Sequence, residues 1–425
     1  MLGFNLNLIR KGTILNDSIW QVGGAMVNRA SYFVTLVMLS SILSPTEYGV
    51  FGLLYSLANS IASINSSTLG IPTRRELVQL KTPTEGIPIL KINLLIITLL
   101  TGVILLATSI YYEITKDAAH SISNMPSLHI FHLACNLSIS HYLGYHFGGI
   151  RRFAAYNKLL LPVNILLPLW VFIFPPETTS LSIILISAIT LLGNLAQIIY
   201  LINLGHTTSP HHSRGRDFIK RNSASFIPCF LQSLLGLPVF FLLQLTITTK
   251  WQDFILIGVI TLATQLLNIS NIFATRILTV LSPRITKQFI VSKNIPRKYF
   301  LRLLCIYTTT ITGISLVIIL VLPLLLDLTK SNFLDYVEAI RYFVMVNVLS
   351  CVVWFIQEYF HAINKSSISL YTNIIFSALL LAVFWGGYYW HDHFNLIDYA
   401  NCMAVSRALT IIISIPILVH YGKIH

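Results

Sequence analysis

Arg29 and Arg407 each lie near the middle of a long apolar stretch, about a dozen residues from either end. A guanidinium so placed cannot easily snorkel to water, and leaving it unpaired in hydrocarbon costs about 2.5–3.5 kcal/mol on insertion scales. Such a residue serves one of two ends. It recognises an anion through its planar fork of donors, or it hydrogen-bonds neighbouring helices. Arg276 sits nearer the end of its own stretch, where snorkelling is a third option. Arg341 follows Glu338 by three residues, the spacing of an intrahelical ion pair.

Uncharged polar residues punctuate the same stretches. Asn28 and Gln21 accompany Arg29, Asn59, Ser63 and Ser66 follow in the next stretch, and Gln265, Asn268 and Asn271 recur at spacing three, one face of a helix. Such stripes either line a cavity or join helices through hydrogen bonds. His129, His132 and Asn136 share another face, with His141 and His146 further on. Imidazoles titrate near neutrality, so His129 and His132 are candidates for proton coupling; the alternative is satisfied polar groups in a cavity wall. Two histidines without an acidic partner make a poor metal site. The five cysteines (Cys135, Cys229, Cys305, Cys351 and Cys402) all fall in apolar stretches, where small buried side chains are the ordinary case. Neither a metal nor a cofactor is expected.

The elements that carry these residues follow from composition. The chain has 425 residues, of which 55% are hydrophobic and only 10% charged. Soluble domains carry about 25% charged residues, so a soluble fold with a large core is excluded. Apolar runs of about 20 residues recur from end to end, long enough at about 1.5 Å per residue to span a hydrocarbon core of about 30 Å. The pattern predicts an all-α membrane protein with twelve spans: 17–43, 47–70, 88–112, 123–147, 158–174, 180–204, 223–247, 253–280, 301–325, 335–361, 367–390 and 396–420. The first, second and fourth are the most polar.

Charge orients them. With the N-terminus placed in the cytoplasm, 21 of the 28 basic residues fall in cytoplasmic segments, against three (Lys116, Lys250 and Lys330) on the far side and four within spans. That asymmetry would collapse if a span in mid-chain were missed or invented, and it puts both termini in the cytoplasm. The net charge of +13 is then mostly a topological signal and an attraction to anionic lipid. Basic residues scattered over short loops do not make a nucleic-acid surface.

A polar segment, 205–222, divides the chain into six spans and six: an N-terminal half over 1–204 and a C-terminal half over 223–425. A faint repeat supports the division. Glu47-Tyr48 to Phe51-Gly52 aligns with Asp253-Phe254 to Ile257-Gly258, and each helix later meets a proline followed by arginine, Pro72 with Arg74 and Pro283 with Arg284. Two equivalent halves of six spans are parallel repeats about an axis along the membrane normal.

Residues 16–76 resemble the polysaccharide flippases of the multidrug/oligosaccharidyl-lipid/polysaccharide exporter superfamily. The resemblance rests on a polar-flecked first span, on the turn LSPTEYGVFG at 43–52 and on a second helix that ends in Gly70, Arg75 and Glu76. A second match is LSPRITKQF at 281–289; Ser44 departs from the commoner glycine. The resemblance implies two pseudo-symmetric six-helix halves around a central cavity, and transport without bond-making. An undecaprenyl-diphosphate-linked oligosaccharide would turn from the cytoplasmic to the periplasmic leaflet of a bacterial inner membrane, for O-antigen or related lipopolysaccharide assembly. It also implies a polysaccharide polymerase and a chain-length regulator as partners. Arg29, Arg407, Arg276, Asn28, Gln265 and Asn268 become the candidate contacts for diphosphate and sugar.

Two rival classes share the composition. A multidrug exporter of the same superfamily would recognise amphipathic cations and would favour acids deep in the bundle, whereas the deep charges here are arginines. A membrane polymerase or acyltransferase needs catalytic residues in a sizeable loop. His393 and Asp398 match an acyltransferase-type His-x4-Asp pair, but the loops on that side are short.

Overall fold

The computed structural model describes residues 11–78, 80, 83–114, 127–150, 152–205, 214–292, 295–328, 331–363, 366–390 and 394–421. These contain thirteen α-helices: α1 (Lys11–Ile42), α2 (Pro45–Val78), α3 (Ile87–Ile114), α4 (Ser127–Gly149), α5 (Phe153–Ile173), α6 (Thr179–Gly205), α7 (Arg214–Leu234), α8 (Leu237–Trp251), α9 (Phe254–Ser292), α10 (Arg297–Leu328), α11 (Val337–Ala362), α12 (Ser366–Trp390) and α13 (Leu396–Tyr421). Among the described residues, nine segments are long and apolar enough to cross a membrane. Every predicted span coincides with one helix, except the seventh, which is broken between α7 and α8. The three spans missing from the nine are α1, α2 and α4, the polar ones. They compensate by packing inside the bundle: α2 packs on α4, and α1 on α5.

The helix ends follow from local chemistry. Pro45 opens α2 at a position that needs no N–H, and Ser44 caps the helix: Glu47 N–H donates to Ser44 Oγ (3.3 Å), and that hydroxyl donates to Glu47 Oε2 (3.4 Å). At the same end of the bundle Asp253 caps α9 by accepting from Leu256 N–H (2.8 Å), and Thr178 caps α6 by accepting from Leu181 N–H (3.3 Å). The break in span seven falls at Gly236, with Pro238 in the first turn of α8, and Ser377 of α12 donates to the freed carbonyl of Leu235 (2.9 Å).

Most packing falls in two groups. In the first, α2 packs on α4, α4 on α6, and α1 on α5; in the second, α11 packs on α13 and α9, and α12 on α13. Between them, α2 lies against α9, α1 against α9, and α8 against α2. The first turns of α7 belong with the first group. Buried Phe218 packs with Leu77 and Ile89, and Arg221 pairs with Glu76 (2.6 Å).

Side by side, α2 and α9 run from the same end of the bundle. Gly49 abuts the carbonyl oxygen of Phe254, Gly52 abuts Thr261, and Gly258 lies against Tyr48 and Phe333. The first turns of the two helices thus lie side by side, Gly49 with Phe254 and Gly52 with Thr261.

Candidate functional site

The first group is held by amides. Asn65 of α2 donates to Thr101 of α3 (2.8 Å) and Ser138 of α4 (3.1 Å); Asn93 of α3 donates to Thr73 (2.9 Å) and Tyr142 (2.9 Å). Asn136 of α4 donates to Ser187 Oγ of α6 (2.9 Å), and Asn194 returns a bond to the Asn136 carbonyl (2.9 Å). In hydrocarbon, where no water competes, such bonds are the natural glue between helices. They explain why α2 and α4 tolerate so many polar residues.

The second group is built differently around α13. Ser406, Thr410 and Ser414 return their hydroxyls to carbonyls one turn back on the same helix, which leaves Arg407 as the cation on its buried face. Arg407 is 5% exposed. Its guanidinium carbon stands 3.3 Å from the ring centroid of Phe376 on α12, a cation–π stack. Among the described residues it makes no ion pair or hydrogen bond, and its buried Nε has no partner. Cys351 of α11 lies beside it, and Tyr307 of α10 lies against Cys351. Residues of four helices therefore gather around one positive charge. An aromatic face does not replace the hydration of a guanidinium, and the planar fork of donors has the geometry that suits carboxylates and phosphates.

The other predicted residues fall elsewhere. Arg29 and Arg276 lie on α1 and α9, but their side chains are outside the described residues. Asn28 is half-buried on α1. Gln265 and Asn268 are half-buried on α9 and are joined to each other (Asn268 Nδ2 to Gln265 Oε1, 3.3 Å), while Asn271 accepts from Asn347 of α11 (2.8 Å). Part of that stripe is thus helix-joining. No hydrogen bond links Arg407 to Asn28, Gln265 or Asn268 among the described residues. His129 is half-buried with Nδ1 unpartnered; His132 is exposed and edge-on to Phe131. Among the described residues no group of three potential ligands could hold a metal. Arg341 pairs with Glu338 as its spacing predicts, and also donates from Nε to the Ile319 carbonyl (3.3 Å).

His393 lies outside the described residues, and Asp398 has a structural task. It accepts from Asn395 N–H (3.0 Å), while Asn395 Oδ1 accepts from Ile397 N–H (2.8 Å) and Asp398 N–H (3.0 Å), a reciprocal cap at the start of α13. Phe376, Cys351 and Tyr307 were not singled out from the sequence. One aromatic among 24 phenylalanines carries no signal until α12 is laid against α13.

This architecture is the fold of transporters of the multidrug/oligosaccharidyl-lipid/polysaccharide (MOP) superfamily. Similar solved structures include an inward-facing multidrug resistance MATE family transporter of that superfamily (TM-score 0.61, 13% identity, covering 95% of this chain and 99% of that one). The lipid II flippase MurJ, in an inward closed conformation, is also similar (TM-score 0.65, 12% identity, 94% and 86%). So is a MOP superfamily transporter from Pyrococcus furiosus Vc1, described as having a binding pocket of reverse polarity (TM-score 0.51, 13% identity, 94% and 94%). No family model matches the chain, and no curated protein matches it.

Proposed function

We propose that the protein is a lipid-linked oligosaccharide flippase of the bacterial inner membrane, with both termini cytoplasmic. It carries an undecaprenyl-diphosphate-linked repeat unit to the periplasmic leaflet by alternating access of two six-helix halves, for O-antigen or related surface polysaccharide. The observation that carries this reading is Arg407, a buried cation with no carboxylate paired to it among the described residues. A carrier of amphipathic cations would need the opposite charge there. Glu338 is exposed and already paired with Arg341. A diphosphate supplies the missing anion, and a polyprenyl tail can stay in lipid while the headgroup passes between helices. The fold shared with a lipid II flippase and the turn at 43–52 support the same reading. A polymerase and a chain-length regulator, acting on the product, are its expected partners.

The experiment is a reconstituted flipping assay. Proteoliposomes receive a fluorescent undecaprenyl-diphosphate-linked oligosaccharide, and its movement is followed by an impermeant quencher. Wild-type protein is expected to move the lipid, and Arg407→Met to slow it at least about tenfold, the loss of one charge-assisted contact. Movement at the wild-type rate by a folded Arg407→Met protein refutes the role of the arginine. No movement by the wild type, with efflux of a cationic dye instead, favours the multidrug reading.

A further inference from the structure

Residues 331–333, between α10 and the short turn Leu334–Tyr336, reach across to the N-terminal helices. They come from the C-terminal half, yet they hold the end of α1. Ser331 Oγ meets Ser40 Oγ at 2.9 Å. The Asn332 amide donates twice, to the carbonyl of Ser40 (3.2 Å) and to that of Leu43 (3.0 Å). Ser40 lies in the last turn of α1, where backbone acceptors lack partners within their own helix, and Leu43 directly follows it. Asn332 thus caps a helix of the opposite half. Fully buried Phe333 fills the junction beneath: its ring lies 5.3 Å from that of Tyr48 on α2, and its Cζ would be 2.9 Å from a Cβ on Gly258 of α9.

Nothing in the packing of α10 requires this arrangement, because α10 packs on α9 and α11. Asn332 is exposed, so water can reach the atoms of both of its bonds, whereas Phe333 is fully buried. The α2–α9 contact, with Gly49 against Phe254, closes the bundle at the same end, and the strap lies directly over it.

We infer that Ser331–Asn332–Phe333 is a latch that holds the two halves together at the end bearing the 43–44 turn, and that it must open in each transport cycle. The inference is independent of the substrate and applies equally to a flippase or an exporter.

Hydrogen–deuterium exchange of the full chain in nanodiscs tests it. The peptides read are 44–54 and 254–262, at the tips of α2 and α9, with 339–360 as the reporter of global unfolding. Asn332→Ala is expected to raise exchange at both tips about tenfold, as loss of two net hydrogen bonds implies, and to leave 339–360 unchanged. A second variant closes the latch covalently. Ser40→Cys with Ser331→Cys, in a chain whose five native cysteines are replaced, is expected when oxidised to suppress exchange at the tips, and when reduced to restore it. Wild-type exchange at the tips in Asn332→Ala overturns the latch. So does equal exchange at the tips in the oxidised and reduced double-cysteine protein.

Discussion

The carbonyl oxygen of Phe254 occupies the space that a Cβ on Gly49 would need. The tip of α2 and the tip of α9 therefore touch backbone to backbone, and a side chain at Gly49 has to push the helices apart. Gly49→Ala is expected to destabilise the protein by about 1–3 kcal/mol, the cost of overpacking a rigid contact. Gly313 is the matched control, because nothing lies within 4 Å of its added Cβ. Gly313→Ala gains the helix propensity that glycine lacks, about 0.5–1 kcal/mol. Thermal unfolding in one detergent should move the two midpoints in opposite directions.

The Ser44 cap of α2 makes a second prediction. Ser44→Ala removes the hydroxyl that accepts from Glu47 N–H and is expected to cost about 0.5–2 kcal/mol, measured in the same unfolding assay. Ser44→Asp keeps an acceptor there and should retain most of the stability. Equal losses in both variants would show that the hydroxyl is not the cap.

Asn93 joins α3 to α2 and α4 through Thr73 and Tyr142. A double-mutant cycle of Asn93→Leu and Tyr142→Phe should give a coupling of about 0.6–1.7 kcal/mol, the range of interhelical hydrogen bonds in membranes. Additive effects would mean that the bond is not formed in the membrane.

Asp398 distinguishes a cap from an acid. Asp398→Ala should lower stability by about 1 kcal/mol by opening the reciprocal cap with Asn395, and should leave transport in the flipping assay near the wild-type rate. An inactive, fully stable Asp398→Ala protein would restore the acyltransferase-like reading of that segment.

The helices were legible because each span carries its own signal: an apolar run of membrane length, bounded by polar residues. Even the polar α1, α2 and α4 could be placed, since the alternation of basic loops depends on every crossing. The break in span seven was written as Gly236-Leu237-Pro238, a helix-interrupting combination, yet hydropathy averages over it and the span reads as continuous. Ser44-x-x-Glu47 and Asn395-x-x-Asp398 are local signals of helix starts, and in the second the same Asp398 also falls in the His-x4-Asp match with His393. The site was legible only in part. Arg407 stood out because a charge in hydrocarbon is costly, whatever the fold. Its platform Phe376, its neighbour Cys351 and the strap at Asn332 depend on which helices touch, and no spacing within one helix encodes that.

Under the proposed function, Arg407 is kept for an anionic headgroup at the expense of stability. The direct test compares wild type and Arg407→Met by thermal unfolding, with and without undecaprenyl diphosphate, undecaprenyl monophosphate or uncharged undecaprenol. Replacing a buried, unpaired charge by an apolar side chain of similar length should raise the midpoint of the lipid-free protein. Diphosphate should stabilise the wild type more than monophosphate does, undecaprenol should have no effect, and Arg407→Met should lose the difference between the phosphates. A wild type that responds alike to all three lipids, or an Arg407→Met protein that keeps the full diphosphate response, would contradict the account.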